Sequence, residues 1–430
     1  MNGEVNLGKN MACTSPYVSQ KSHFLGVAEE FGWITLIAEG YVFKLSPKKV
    51  LMKKRYRWML GVLCFILLLV VLVGFLWRKE IQTVNSITKV SDDGTLFSMD
   101  YKVEYDLDEM VDSHLTSYDS IARYFIFRLS HGLVPMSFLQ KRNIGANSFG
   151  CTSFHVRSAD GDWLFARNFD YNDMVGVMLK SHPKNGYASI SFSDAEYAGL
   201  DSDSLAGRPW DKIGSLALIY APMDGMNEKG LAMSILELPC HPARNDTVKA
   251  DISTSTLVRL VLDRCATVDE AVALVETLDM FNEPFDIVSK DVAGSAYHYQ
   301  ISDAQGKSVV IEYDYENGFA VIPVYKAADA KWQICTNHYL TEKYSDEGDA
   351  ISDSWGRYEK VDKELSQGSA TEKGCMDILS DVSVENIFYP EYGDYHSSTQ
   401  WSAVYNLTNL TVSVCMGRKY GKTYRFSLKP

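Results

Sequence analysis

Twenty consecutive residues without a charge, Trp58 to Trp77, interrupt an otherwise mixed pattern of apolar and polar positions. At about 1.5 Å per residue such a helix crosses the hydrocarbon core of a bilayer, which is ~30 Å thick. A tryptophan closes each end, where indole favours the membrane interface. The pattern predicts a transmembrane helix. Upstream, Phe31 to Phe43 is locally apolar but too short to span. Downstream, Tyr118 to His131 is spaced as an amphipathic helix with Gly132 just past its end. From residue 151 short alternating runs predict strands at 152–157, 163–169, 174–180, 187–192, 213–220 and 230–236. Turn signals such as Lys184-Asn185-Gly186 and Asp224-Gly225 divide them. Helices are predicted at about 254–264 and 268–278, the second opened by a capping box from Thr267 to Glu270. Strands return at 296–303, 307–314, 318–325 and 331–336, helices at 355–366 and 371–381, and strands at 401–407 and 410–416. This block order is α+β, not the alternating order of a parallel sheet.

Charge gives the apolar run a direction. Residues 1–57 hold nine Lys/Arg and four acids, about +5, so with a net charge of −13 the rest of the chain carries about −18. Lys48, Lys49, Lys53, Lys54, Arg55 and Arg57 precede the run, and only Arg78 and Lys79 follow it closely. The positive-inside rule then puts the N-terminus in the cytoplasm and residues 78–430 outside the cell membrane. The run is long for a cleaved signal peptide, and no small-residue cleavage site follows it, so an uncleaved single-pass anchor is expected. The resulting plan is a cytoplasmic segment 1–57, a transmembrane helix 58–77, a stalk or propeptide 78–150 and a folded domain 151–430.

The acidic balance argues against a nucleic-acid partner. None of the eight cysteines lies in a CxxC pair, and the histidines form no HExxH, so no metal site is expected. Gly417 to Thr423 is one residue short of a phosphate-binding loop, and no cofactor is expected.

One stretch carries chemistry. Cys151 follows a glycine, Asp160-Gly161 marks a hairpin, and Arg167 and Asp170 follow on the returning strand. A cysteine cleaves an amide if its thiolate is available and a base can move a proton. His155 would share the strand, and no Cys/His protease signature surrounds it. A free α-amino group on the cysteine itself titrates at roughly 7.7–8.0 and can serve as base. That requires cleavage after Gly150, where glycine tolerates the backbone strain of an N-to-S acyl shift.

Cys151-Thr152-Ser153, Asp160-Gly161, Ala166-Arg167-Asn168-Phe169-Asp170 and the run Asp224 to Leu231 (DGMNEKGL) together resemble the choloylglycine hydrolase family over residues 151–430. These are linear-amide C–N hydrolases of the N-terminal-nucleophile superfamily, which includes bile salt hydrolases, penicillin V acylases, acid ceramidase and N-acylethanolamine acid amidase. The resemblance implies a four-layer αββα sandwich. It also implies autocatalytic cleavage, with Cys151 as nucleophile and its own amine as base. Arg167 would favour the thiolate. Asp170 would orient the α-amino group. Asn337 would donate to the oxyanion, and Arg357 matches the family's second arginine. Glu237 stands where bile salt hydrolases place asparagine, as in the acid ceramidase branch. Either its backbone N–H is a donor or its side chain faces the amine or leaving group. The DGMNEKGL turn is expected to be structural. The expected partner is a small-molecule amide with an apolar acyl group, selected by loops around 171–180 and 195–210. An unprocessed protein that binds amide-like ligands without turnover is the alternative.

Overall fold

The structure, a computed structural model, describes residues 28–30, 33–38, 41–45, 54–115, 118–133, 150–238, 249–280, 296–317, 320–345, 353–368, 370–389 and 395–429. The chain divides into two compact units, Met1–Leu76 and Trp77–Pro430. In the first, β1 (Ala28–Glu30), β2 (Trp33–Ala38) and β3 (Tyr41–Leu45) form an antiparallel sheet. Helix α1 (Lys54–Leu76) contains the apolar run, and its stretch Tyr56–Leu76 is long and apolar enough to cross a membrane.

The second unit opens with α2 (Arg78–Asn85), β4 (Thr88–Lys89), β5 (Leu96–Tyr101), α3 (Leu107–Asp112) and α4 (Tyr118–Leu129). From the cysteine onward come β6 (Cys151–Arg157), β7 (Trp163–Tyr171), β8 (Gly176–Ser181), β9 (Ser189–Asp194), α5 (Ser202–Ala206), β10 (Pro222–Asn227) and β11 (Ala232–Leu238). The middle holds β12 (Ala250–Ile252), α6 (Thr254–Arg264), α7 (Val268–Val275), β13 (Leu278–Met280), β14 (Ala296–Ser302), β15 (Ser308–Asp314), β16 (Ala320–Tyr325) and β17 (Trp332–Cys335). The chain closes with α8 (Ser354–Gln367), α9 (Glu372–Asp381), β18 (Ile387–Tyr389), β19 (Tyr395–Asn406), β20 (Thr411–Met416) and β21 (Tyr424–Ser427).

Two large sheets result, making a mixed α/β unit. One runs β16-β15-β14-β11-β10-β9-β8-β5-β4, and the other β17-β6-β7-β19-β20-β21 with β18 beside β19. Helices α6 and α7 lie against strands β10, β11, β14 and β15 of the first, and α8 and α9 against β17, β19 and β7 of the second. The sheets meet where β6 touches β11 and β14. Residues 88–101, upstream of the cysteine, supply two strands of the nine-stranded sheet, with β5 parallel to β8. Tyr105 Oη donates to Asp263 Oδ2 at 2.8 Å, and Tyr101 Oη to the Leu216 carbonyl at 2.8 Å. The compact unit therefore takes in residues from Trp77 onward.

Two local readings change. Residues 213–220 belong to a 3-10 helix, Pro209–Tyr220, rather than a strand. Proline at its first turn suits a helix start, and Leu216, Leu218 and Ile219 are buried, so a short apolar run there did not distinguish helix from strand. Asp224-Gly225 lies inside β10 rather than in a turn. Glycine serves close approach here: a Cβ at 225 would sit 2.6 Å from the Ile190 carbonyl oxygen and 2.7 Å from Leu262 Cδ1. The loop expected at 143–150 lies outside the described residues apart from Gly150.

Candidate active site

The β6–β7 hairpin turns at Gly161, whose φ of +94° suits glycine. Its register sets Cys151 opposite Phe169 and Ser153 opposite Arg167. Side chains alternate along a strand, so Cys151, Ser153, Arg167 and Phe169 share one face. Arg167 Nη2 thus reaches Cys151 Sγ at 3.5 Å, and both residues are fully buried.

A buried guanidinium needs a carboxylate, and Asp224 supplies it: Arg167 Nε lies 3.0 Å from Asp224 Oδ2. Arg167 Nη1 donates to the carbonyls of Met223 (3.1 Å) and Ile235 (2.8 Å). Asp224 also accepts from Trp401 Nε1 at 3.0 Å and from Tyr405 Oη. The DGMNEKGL stretch therefore does more than turn: its aspartate holds the arginine beside the thiol. Asn227 is a turn residue, accepting from the Lys229 and Leu231 amides and donating to the Leu262 and Cys265 carbonyls. Sequence reasoning missed Asp224, although an acid inside a motif that accompanies a buried arginine was the available signal.

The peptide bond before Cys151 is gripped on both sides. The Asp170 amide donates to the Gly150 carbonyl at 2.9 Å. The Cys151 amide donates to Asn337 Oδ1 at 2.6 Å. Arg357, in the first turn of α8, donates through Nη1 to the Cys151 carbonyl and to Thr152 Oγ1 (2.7 Å), and through Nη2 to Asn337 Oδ1 (2.8 Å). Asn337 Nδ2 donates to the Glu237 carbonyl at 2.8 Å. Glu237 meets Asn337 through its main chain. Its main-chain carbonyl, on β11, orients the asparagine amide, so that in this continuous chain the amide oxygen of Asn337 faces Cys151. Asp170 Oδ1 accepts from Thr399 Oγ1 at 2.6 Å, and its Oδ2 is buried without a hydrogen-bond partner among the described residues. All six expected residues, Cys151, Arg167, Asp170, Glu237, Asn337 and Arg357, gather around one peptide bond.

Burial dominates the electrostatics. It pushes the Cys151 thiol up to about 12, against the pull of Arg167. It pushes Asp170 up to about 6, opposed by Arg357, Thr399 and Arg167. His155 lies roughly 13 Å along the strand from Cys151, taking ~3.3 Å per residue. It stacks on Trp163 with ring centroids 4.9 Å apart, and burial pushes it down to about 3, so it is not placed to be the base. No group of three or more metal-ligating side chains occurs among the described residues.

Comparison with known proteins follows this geometry. The family model "Acyl-coenzyme A:6-aminopenicillanic acid acyl-transferase" matches residues 211–420, a range that holds Asp224, Glu237, Asn337 and Arg357. A penicillin V acylase of Pectobacterium atrosepticum is 30% identical over 184 residues, 39% of this chain and 45% of the relative. A bile salt hydrolase/transferase of Clostridium perfringens is 25% identical over 213 residues, 45% of this chain and 59% of the relative. The chain thus spans about half the length of the curated relatives it matches. Among solved structures, a variant of the conjugated bile acid hydrolase from Clostridium perfringens is 17% identical with a TM-score of 0.46, covering 65% of this chain and 92% of that one. The family model and the curated relatives agree with the motifs of the sequence and support its resemblance to the choloylglycine hydrolase and penicillin acylase family.

Proposed function

We propose that this protein is a membrane-anchored amidase that cleaves linear, non-peptide amides through an acyl-cysteine at Cys151, after cutting its own chain between Gly150 and Cys151. The observation that carries the reading is the grip on that bond: one donor on the Gly150 carbonyl, one acceptor on the Cys151 amide and an arginine on the thiol. The Asp170 carboxylate takes the thiol proton, and Sγ attacks the Gly150 carbonyl carbon. The Asp170 amide supports the oxyanion. The C–N bond then breaks, the nitrogen takes the proton and a thioester forms. Water hydrolyses the thioester to a free carboxylate at Gly150 and a free thiol and α-amine at Cys151. That amine then serves as base for substrate, with Asp170 as its counter-charge.

The order α6/α7, nine-stranded sheet, seven-stranded sheet, α8/α9 supports the four-layer αββα sandwich of N-terminal-nucleophile hydrolases. Helix α1 serves as the single-pass anchor, with the catalytic unit outside the cell membrane. Because β5 and the Tyr101 and Tyr105 bonds tie residues 77–133 into that unit, the cut chain stays attached to its anchor. The substrate carries an apolar acyl group.

The intact chain supports one other reading. A fully buried thiol pushed up to about 12 is closed to outside substrates while the chain is continuous, so a protein that failed to cut itself would only bind amide-like ligands. N-terminal sequencing of the purified protein separates the two: a new terminus at Cys151 is expected, and a chain continuous through Gly150 that resists thiol alkylation would overturn the amidase reading. A panel of conjugated bile salts, penicillin V, N-acyl amino acids and fatty-acid amides then identifies the substrate class.

A further inference from the structure

The turn that carries Asn337 is held by a buried side-chain pair outside the residues described so far. His298 on β14 and Glu312 on β15 are both fully buried. His298 Nε2 lies 2.6 Å from the Thr336 carbonyl oxygen, so that nitrogen carries a proton. His298 Nδ1 lies 3.3 Å from Glu312 Oε1. Glu312 in turn accepts from the Leu340 amide (2.7 Å), the Thr341 amide (2.9 Å) and the Thr341 hydroxyl. A carboxyl that accepts so many hydrogens is ionised. Burial works against its charge, yet the bonds from His298, Thr341 and Leu340 hold it below the ordinary carboxylate range. Each ring nitrogen of His298 therefore faces an oxygen acceptor. The other titratable groups acting here are Cys335 on β17, whose Sγ is 3.4 Å from His298 Nε2, and His338 in the turn. Cys151 and Arg167 act on Cys335, and Arg357 acts on His338.

The pair clips the turn at both ends. His298 holds the carbonyl of residue 336, and Glu312 holds the amides of 340 and 341. Asn337 lies between them, with its own amide donating to Ser354 Oγ at 2.7 Å. Asn337 is the residue that receives the Cys151 amide. We propose that the buried His298–Glu312 ion pair is the positioning device of this site: it fixes the 336–341 turn and thereby sets Asn337 on the Gly150–Cys151 amide. The inference rests on the self-cleavage reading above and adds residues that act through Asn337 without touching the reacting atoms.

The test uses the full chain made by cell-free synthesis, with cleavage at Gly150–Cys151 followed over time by intact mass. Glu312→Gln leaves the imidazolium without its counter-charge, and cleavage is expected to slow about 10- to 100-fold. The double variant His298→Gln with Glu312→Gln removes both charges and keeps a donor for the Thr336 carbonyl, so it is expected to recover most of that loss. An unchanged rate in Glu312→Gln, or a double variant slower than the single one, overturns the proposal. Nitrogen-15 spectra of histidine-labelled full chain give a readout independent of variant folding. Two protonated ring nitrogens on His298 at pH 7 are expected, assigned by their loss in His298→Gln; a neutral ring overturns the ion pair. Cys151→Ala separates the two claims. If that variant is still cut at Gly150–Cys151, the self-cleavage reading fails, whereas the ring protonation still decides the pair.

Discussion

The β6–β7 hairpin has two buried faces of opposite character. Toward α8 and α9 it presents Phe154, Val156, Leu164 and Ala166, which pack with Val361, Leu365 and Leu379 in an apolar cluster. Toward the nine-stranded sheet it presents Cys151, Ser153 and Arg167, with Ser153 Oγ donating to Gln300 Oε1 at 2.6 Å and Arg167 paired with Asp224. The first face stabilises by removing apolar area from water. The second face buries charge and polarity, and each such group must find a partner. Cys151, as the first residue of β6, is reached from both sides. Arg167 approaches its sulfur from the polar face, and Arg357, from α8, approaches its carbonyl from the other. Cys151, at a strand end, is thus held by two arginines, one at its sulfur and one at its carbonyl.

This comparison can be broken in order of expected effect. Cys151→Ala should abolish self-cleavage and amide turnover, a loss on the order of 10⁴-fold or more; residual cleavage in an intact-mass time course would show that the polar face has another nucleophile. Asp224→Ala leaves the Arg167 guanidinium buried and unpaired, and chemical denaturation should show a loss of about 3–5 kcal/mol. A variant as stable as the parent would mean that the ion pair is not what fixes Arg167. On the apolar face, Phe154→Ala should cost ~3–4 kcal/mol in the same denaturation experiment. It should leave the cleavage rate of the folded protein nearly unchanged, and a cleavage defect of the same size as in Asp224→Ala would erase the distinction between the faces.

Acidity probes Asp170. Its carboxyl is pushed up to about 6, so in the uncleaved chain the base is available above that pH and lost below it. Self-cleavage should fall about tenfold per pH unit below 6, and Asp170→Asn should lose about 100-fold at pH 7.5 together with this dependence. Folding responds with the opposite sign. The folded chain binds this proton more tightly than the unfolded one, so this group alone makes the fold more stable as pH falls toward 4. A cleavage profile flat from pH 7 to pH 5 would remove Asp170 as the base. The smallest effect is expected far from the cysteine. Tyr105→Phe breaks the bond to Asp263 and should cost about 1–2 kcal/mol without dissociating residues 77–133 from the cut chain. Separation of the two pieces on a sizing column would show that the upstream segment is held less firmly than its strand and tyrosines indicate.

The sequence by itself determined what depends on neighbours along the chain. The apolar run, the amphipathic helix at 118–131 and the hairpin that returns Arg167 to Cys151 all follow from backbone periodicity and a single turn. All six residues of the expected site converge, because the motif spacing places Cys151, Arg167 and Asp170 on one hairpin and the family resemblance supplied Glu237, Asn337 and Arg357. Tertiary structure alone decided how they are used. Asp224 reads as a turn residue until a buried guanidinium requires a carboxylate. Glu237 reads as a charged side chain, yet its contact with Asn337 is a main-chain carbonyl, which no residue type announces. Arg357 is 206 residues from Cys151, and the strands at 88–101 read as a stalk because nothing local shows which sheet edge they join. The physical reason is the same in each case. Local pattern fixes which face a side chain takes, but the partner of a buried polar group is set by which distant element packs against that face.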